Sequence, residues 1–160
     1  IKPEAILLTH GHFDHIMAAK KVKEYYQIPV YAGIHEEELL ADAEKNLSAM
    51  WAEGFTMKAD ELVVDNQKIE IAGMKITVIE TPGHTSGGVC YYIEKEHVLF
   101  AGDTLFFESY GRTDFPGGSM FSLIRSLGKK LFDETDVYPG HGQATSIGYE
   151  KTHNPAAGMR

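Results

Sequence analysis

One cysteine, Cys90, stands in 160 residues, which excludes an internal disulfide and any thiol pair of the C-x-x-C type. Scarce, unpaired cysteine suits a reducing compartment, and a cytoplasmic location is expected. No apolar run approaches the roughly 18 residues that span a bilayer, so a membrane partner is not expected. Positive charge is also short: 15 Lys and Arg face 23 Asp and Glu, for a formal charge of −8. Nucleic acid selects for clustered Lys and Arg, so it is not an expected partner. The one basic run, Lys20, Lys21 and Lys23, reads as the solvated face of a helix. Gly87-Gly88 and Gly117-Gly118 read as turns, and neither has the Lys and following helix of a phosphate-cradling loop. Repeats, low-complexity tracts and interdomain linkers are lacking too, and 43% hydrophobic content is enough for one sizeable core.

What the chain does have is histidine, concentrated in Thr9-His10-Gly11-His12-Phe13-Asp14-His15 directly after the apolar stretch Ala5-Ile6-Leu7-Leu8. Three imidazoles and a carboxylate so close together cannot be buried separately, because each unpaired polar group costs about 1–3 kcal/mol. A shared divalent cation resolves this. A strand followed by a turn projects His10 and His12 to one side and carries Asp14 and His15 into the next element, which makes two ligand groups. Three more candidates each follow a β-prone run: His84 in Pro82-Gly83-His84-Thr85, Asp103 in Gly102-Asp103-Thr104, and His141 in Pro139-Gly140-His141-Gly142. Pro and Gly beside them allow the sharp turns that bring distant strand ends to one rim of a sheet.

The patterning predicts strands at 5–9, 29–32, 61–65, 68–71, 74–80, 88–94, 97–101 and 136–138, with helices near 14–26, 35–43 and 119–132. Pro29 ends the first helix and Ser119 caps the last. Strands interleaved with helices make an α/β chain.

The set His10-x-His12-x-Asp14-His15, His84, Asp103 and His141 resembles the metallo-β-lactamase superfamily. Within it, residues 9–15, 82–85, 102–106, 111–118 and 138–142 are similar to the glyoxalase II-like (hydroxyacylglutathione hydrolase-like) group, a resemblance running from Ala5 to about Pro155. It implies an αββα sandwich with the metals at one edge between two sheets. Residues 1–160 are then expected to form a single metallo-hydrolase domain, N-terminally incomplete, whose first sheet lacks its opening strands. Residue by residue, it implies that His10, His12 and His84 bind one ion, that Asp14, His15 and His141 bind a second, and that Asp103 bridges them. A carboxylate has two oxygens and can span two ions, which one imidazole nitrogen cannot. A nitrogen and oxygen set without thiolate suits zinc first, and also iron or manganese.

Two such ions turn water into a bridging hydroxide near neutral pH, with Asp14 as the catalytic residue orienting it. A thiolate leaves without a general acid, whereas an amide nitrogen needs a proton, so a small-molecule thioester, or a related ester, is the expected substrate and a β-lactam is not. Arg112 has the bidentate fork for a substrate carboxylate or, alternatively, for Asp114. Two other functions fit parts of the pattern: a mononuclear iron persulfide dioxygenase, whose family shares a Gly-Arg-Thr-Asp-Phe segment like 111–115, and an inactive or incomplete metal-binding domain. Elsewhere, His35 and Glu36-Glu37-Glu38 read as the acidic start of a helix, Cys90 as a small buried hydrophobe and His153 as surface. Leu47, Met50, Trp51, Phe55 and Met57 read as core, with a lid as the alternative.

Overall fold

Two-residue alternation along the strands sorts the apolar side chains into three separate cores, and the layers of the fold follow from that sorting. The computed structural model describes residues 2–51, 53–129 and 131–159. In chain order it contains β1 (Ile6–Leu7), α1 (Phe13–Ile16), α2 (Ala19–Tyr26), β2 (Val30–Gly33), α3 (Glu37–Leu40), β3 (Glu61–Val63), β4 (Lys68–Ile71), β5 (Met74–Glu80) and β6 (Val89–Ile93). There follow β7 (Val98–Gly102), β8 (Leu105–Phe106), β9 (Ser109–Tyr110), α4 (Met120–Leu127), β10 (Asp136–Pro139), β11 (Thr145–Ser146) and α5 (Ile147–His153). One sheet has the order β1-β2-β3, all parallel. The other has the order β11-β10-β7-β6-β5-β4, and β8 and β9 form a small hairpin.

On the outer face of the first sheet, Leu8, Val30 and Ala32 pack with Ile16, Ala19 and Leu40 of the helices. Its inner face sets Leu7, Tyr31 and Val63 against Ile76, Val78, Val89, Tyr91 and Ile93 of the second sheet. The intervening residues Cys90 and Tyr92 point the other way and join Leu99, Ala101 and Val137 beneath Leu123 and Leu127 of α4 and Ile147 of α5. The layers therefore run helix, sheet, sheet, helix. Strand β6 is buried on both faces, which is why Val-Cys-Tyr-Tyr-Ile shows no polar alternation. Among the described residues, no helix is long and apolar enough to cross a membrane.

Several expectations need correction. The first helix breaks into α1 and α2, and α2 ends at Gln27, in the left-handed region at φ 54, before Pro29. The ladder of the first strand covers only Ile6–Leu7, because the chain changes sheets there: Leu8 N–H still donates to Tyr31 (2.9 Å), but Thr9 C=O accepts from Val89 of the second sheet (2.8 Å). The last predicted helix stops at Leu127, with Gly128 as its C-cap, while Ser119 caps its start as expected, accepting from Ser122 N–H (3.2 Å). Helix α5 and strands β8, β9 and β11 were not anticipated, being too short for periodicity to register. Trp51 and Met50 are not core: they are 72% and 70% exposed, with Trp51 stacked on Phe13 at 5.7 Å. Leu47 is buried, and Phe55 and Met57 pack on the helix-side core. Cys90 is buried as expected, 2% exposed.

Candidate metal centre

Strands β5 and β7 both run antiparallel to β6, and β10 runs parallel to β7, so their carboxyl ends share one edge. The Thr9–Val89 hydrogen bond brings the end of β1 to the same place. The four loops leaving these strands carry His10 to His15, His84, Asp103 and His141, and the structure brings all seven predicted side chains together. Three sets have ligand atoms within 4.8 Å of one another: His10, His12 and His84; Asp14, His15 and His141; and His10, His15 and Asp103. His12 Nδ1 lies 2.9 Å from His84 Nε2, and His141 Nε2 lies 3.1 Å from Asp14 Oδ2. Asp103 stands between the sets, with Oδ1 3.4 Å from His15 Nε2 and Oδ2 3.6 Å from His84 Nε2 and 3.7 Å from His141 Nε2.

The sets differ in access. His10, His12 and His84 are 3–5% exposed, whereas the side chain of His141 is 58% exposed and that of Asp14 is 36% exposed. One side of the cluster is closed and the other faces solvent.

The residues fit a metal, because buried polar atoms of the cluster residues have no partner of their own. His10 Nε2, His15 Nε2 and Asp103 Oδ1 are buried without a hydrogen bond, as is His12 Nε2, while His12 Nδ1 is the atom that faces His84, and leaving such atoms unpaired costs about 1–3 kcal/mol apiece. His84 Nδ1 donates to the Arg112 carbonyl (2.7 Å), which can only accept, so Nε2 of neutral His84 keeps its lone pair for the cluster. Burial drives His10 well below the ordinary imidazole value, with His15 and His12 adding to the effect. Burial and the neighbouring His84 bring His12 down to about 4. His15 is lowered by burial, partly opposed by Asp103. Burial raises Asp103, with His15 opposing. At neutral pH the depressed rings are unprotonated, as ligation requires.

A stability consequence follows for the metal-free protein. A group whose folded pKa lies below its unfolded value near 6.5 binds its proton more readily in the unfolded chain, so stability is full above that value and falls as pH drops toward the folded one. For His12 the window runs from about 6.5 to about 4. The urea midpoint is expected to fall between pH 7.5 and pH 5, with His12 contributing on the order of 2 kcal/mol. His12→Gln isolates this share, since Asp103 titrates with the opposite sign; equal pH slopes in the two proteins would contradict a neutral buried ring.

Arg112 does not reach toward the cluster. Its guanidinium binds Asp114 bidentately (2.6 and 2.5 Å), holding that carboxyl down to about 2, and sits 3.9 Å over the Phe115 ring. Its main-chain carbonyl, not its charge, touches the site through His84. Sequence reasoning missed that contact, and it missed Glu36. Far from facing a helix dipole at the surface, Glu36 is fully buried and accepts from Gly11 N–H (2.9 Å) and the Thr85 hydroxyl (3.1 Å). The available signal was its place between apolar positions: Leu39 and Leu40 are buried one turn on, whereas Glu37 and Glu38 are exposed.

The sequence profile of the metallo-beta-lactamase superfamily matches residues 1–141. The chain is 39% identical over 160 residues to "Probable metallo-hydrolase YqgX" of Bacillus subtilis (strain 168), covering 97% of this chain and 76% of that protein. It is 34% identical over 161 residues to hydroxyacylglutathione hydrolase GloC of Haemophilus influenzae, covering 95% and 74%. Among solved structures, BLEG-1 B3 metallo-beta-lactamase superposes with a TM-score of 0.91 at 43% identity, covering 97% of this chain and 77% of that one. TTHA1623, crystallised in a di-iron-bound form, gives 0.82 at 35% identity, covering 96% and 77%. With its four-layer sandwich and a histidine-rich cluster at the strand ends, the chain belongs to the metallo-beta-lactamase superfamily.

Proposed function

We propose that residues 1–160 form one metallo-hydrolase domain that cleaves small-molecule thioesters at a two-metal centre. The observation that carries this reading is the convergence of seven metal-ligating side chains, four of them (His10, His12, His15 and Asp103) with a buried, partnerless nitrogen or oxygen. In it, His10, His12 and His84 hold one ion, Asp14, His15 and His141 hold the other, and Asp103 serves both, with zinc the first choice and iron or manganese also suited. Such a pair, when bound, supplies ionised water near neutral pH and polarises a carbonyl oxygen.

The chain's own residues divide the remaining work. Asp14, half-open to solvent beside His141, accepts a hydrogen bond from the attacking water and orients it. The closed side, lined by His10, His12 and His84, excludes solvent, and burial keeps His10 and His12 neutral. The leaving thiolate needs no proton donor, since thiols ionise near pH 8.5. Similarity to GloC supports the thioester as substrate class.

The test is elemental mass spectrometry on protein purified without added metal, followed by S-acyl thiol turnover before and after chelation. About two ions per chain and chelator-sensitive turnover are expected; a single iron would favour the dioxygenase, and absence of metal the inactive domain. Asp14→Ala is expected to lower kcat by about 10²-fold, and full turnover in that variant would remove Asp14 from its role. The 43% identity to BLEG-1 gives β-lactam hydrolysis a place as the second reading. A chromogenic β-lactam assayed beside the thioester separates the two.

A further inference from the structure

We propose that Glu36 is a positioning residue that clamps the loop bearing His10 and His12 to the loop bearing His84, and so sets the affinity of the three-histidine side of the centre for its ion. The inference rests on the metal-centre reading above. Glu36 stands in the short 3-10 turn Ile34–Glu36 ahead of α3 and is 0% exposed. Among the described residues no ion pair reaches it. Its Oε1 accepts from the N–H of Gly11, the residue between His10 and His12 (2.9 Å), and its Oε2 accepts from the hydroxyl of Thr85, the residue after His84 (3.1 Å). The Gly87 N–H is a third donor.

Every partner is a donor, so only a group that accepts on all sides satisfies them, and an ionised carboxylate is the one side chain that does. The backbone is built around this contact. A Cβ on Gly87 would lie 2.2 Å from Glu36 N and 2.6 Å from its Oε2, and one on Gly33 would lie 2.4 Å from the Gly87 carbonyl. Burying a carboxylate against neutral donors alone is costly, so its place here calls for a role beyond filling space. What the carboxylate adds is a fixed distance between two ligand loops that are 25 and 49 residues away along the chain.

The experiment titrates metal-stripped wild type, Glu36→Gln and Thr85→Val with zinc against a chelating dye, resolving two stepwise affinities, and measures the urea midpoint of each metal-free protein. Glutamine turns an amide N–H toward donors; valine removes one donor and keeps the shape. Glu36→Gln is expected to weaken one ion by ~10- to 100-fold and leave the other near wild type, with Thr85→Val weakening the same ion less. Should Glu36→Gln fail to fold, Thr85→Val carries the test alone. Unchanged affinities, or equal weakening of both ions together with a lowered metal-free midpoint, would overturn the positioning role while leaving the metal centre intact. Wild-type protein that takes up no zinc would overturn the metal-centre reading itself, and this inference with it.

Discussion

In the two-metal thioester hydrolase proposed above, Asp103→Ala is expected to lose metal from both sides of the centre and to lower turnover by about 10³-fold or more. One carboxylate reaches both sets of imidazoles, with Oδ1 3.4 Å from His15 Nε2 and Oδ2 3.6 Å from His84 Nε2 and 3.7 Å from His141 Nε2. No other side chain among the described residues occupies that position, so its removal leaves two separate three-residue sets with their charge uncompensated. The stability effect runs the other way. Asp103 Oδ1 is buried without a partner and burial raises the carboxyl's pKa, so the ionised group destabilises the metal-free fold. Metal-free Asp103→Ala is therefore expected to unfold at a higher urea concentration than metal-free wild type, by ~1 kcal/mol. Retained metal content in the variant would remove Asp103 from its bridging place, and a lower metal-free midpoint would show that the carboxylate supports the fold instead.

Gly140→Ala is expected to reduce kcat/KM by about 10²-fold although glycine 140 contributes no functional group. A Cβ there would stand 2.3 Å from Asp103 Oδ1 and 2.7 Å from His15 Cε1, closer than real contacts allow. The backbone cannot retreat easily, because Gly140 N–H donates to the Gly102 carbonyl at 2.8 Å. The added methyl must then displace either the shared carboxylate or a ligand ring. Gly142→Ala is the control: its φ of +81 strains an alanine, but nothing lies within 4 Å of the new methyl. That variant is expected to lose ~1 kcal/mol of stability and keep its metal stoichiometry. Equal kinetics in the two variants would mean that Gly140 is there for its turn and not for the room it leaves.

The contrast between Glu36 and its neighbours shows where a linear reading stops. Glu36, Glu37 and Glu38 are identical in type and consecutive, yet the first is buried under two ligand loops and the others are solvated. Composition and dipole arguments treat all three alike, because what separates them is the direction of one side chain toward Gly11 and Thr85. Trp51 is the reverse case: its apolar character predicts burial, but it lies exposed, stacked on Phe13 beside Asp14, while its neighbours Phe55 and Met57 are the ones that pack on the helix-side core. Arg112 divides between the two, its guanidinium taken up by the local Asp114 pair that its spacing allowed, and its carbonyl holding the His84 tautomer, which side-chain identity cannot foretell.

By itself the sequence determined the identity of the seven cluster residues, their place at strand ends and the α/β layering, because local spacing and two-residue alternation are properties of neighbours along the chain. Only the tertiary structure decided which imidazoles are closed off and which face solvent, that Asp103 lies between the sets, that Glu36 bonds to both ligand loops, that Gly140 leaves room for Asp103 and His15, and that the Arg112 carbonyl accepts from His84. Those features depend on contacts between segments far apart in the chain, whose distances are set by how two sheets pack and not by any pattern along one strand.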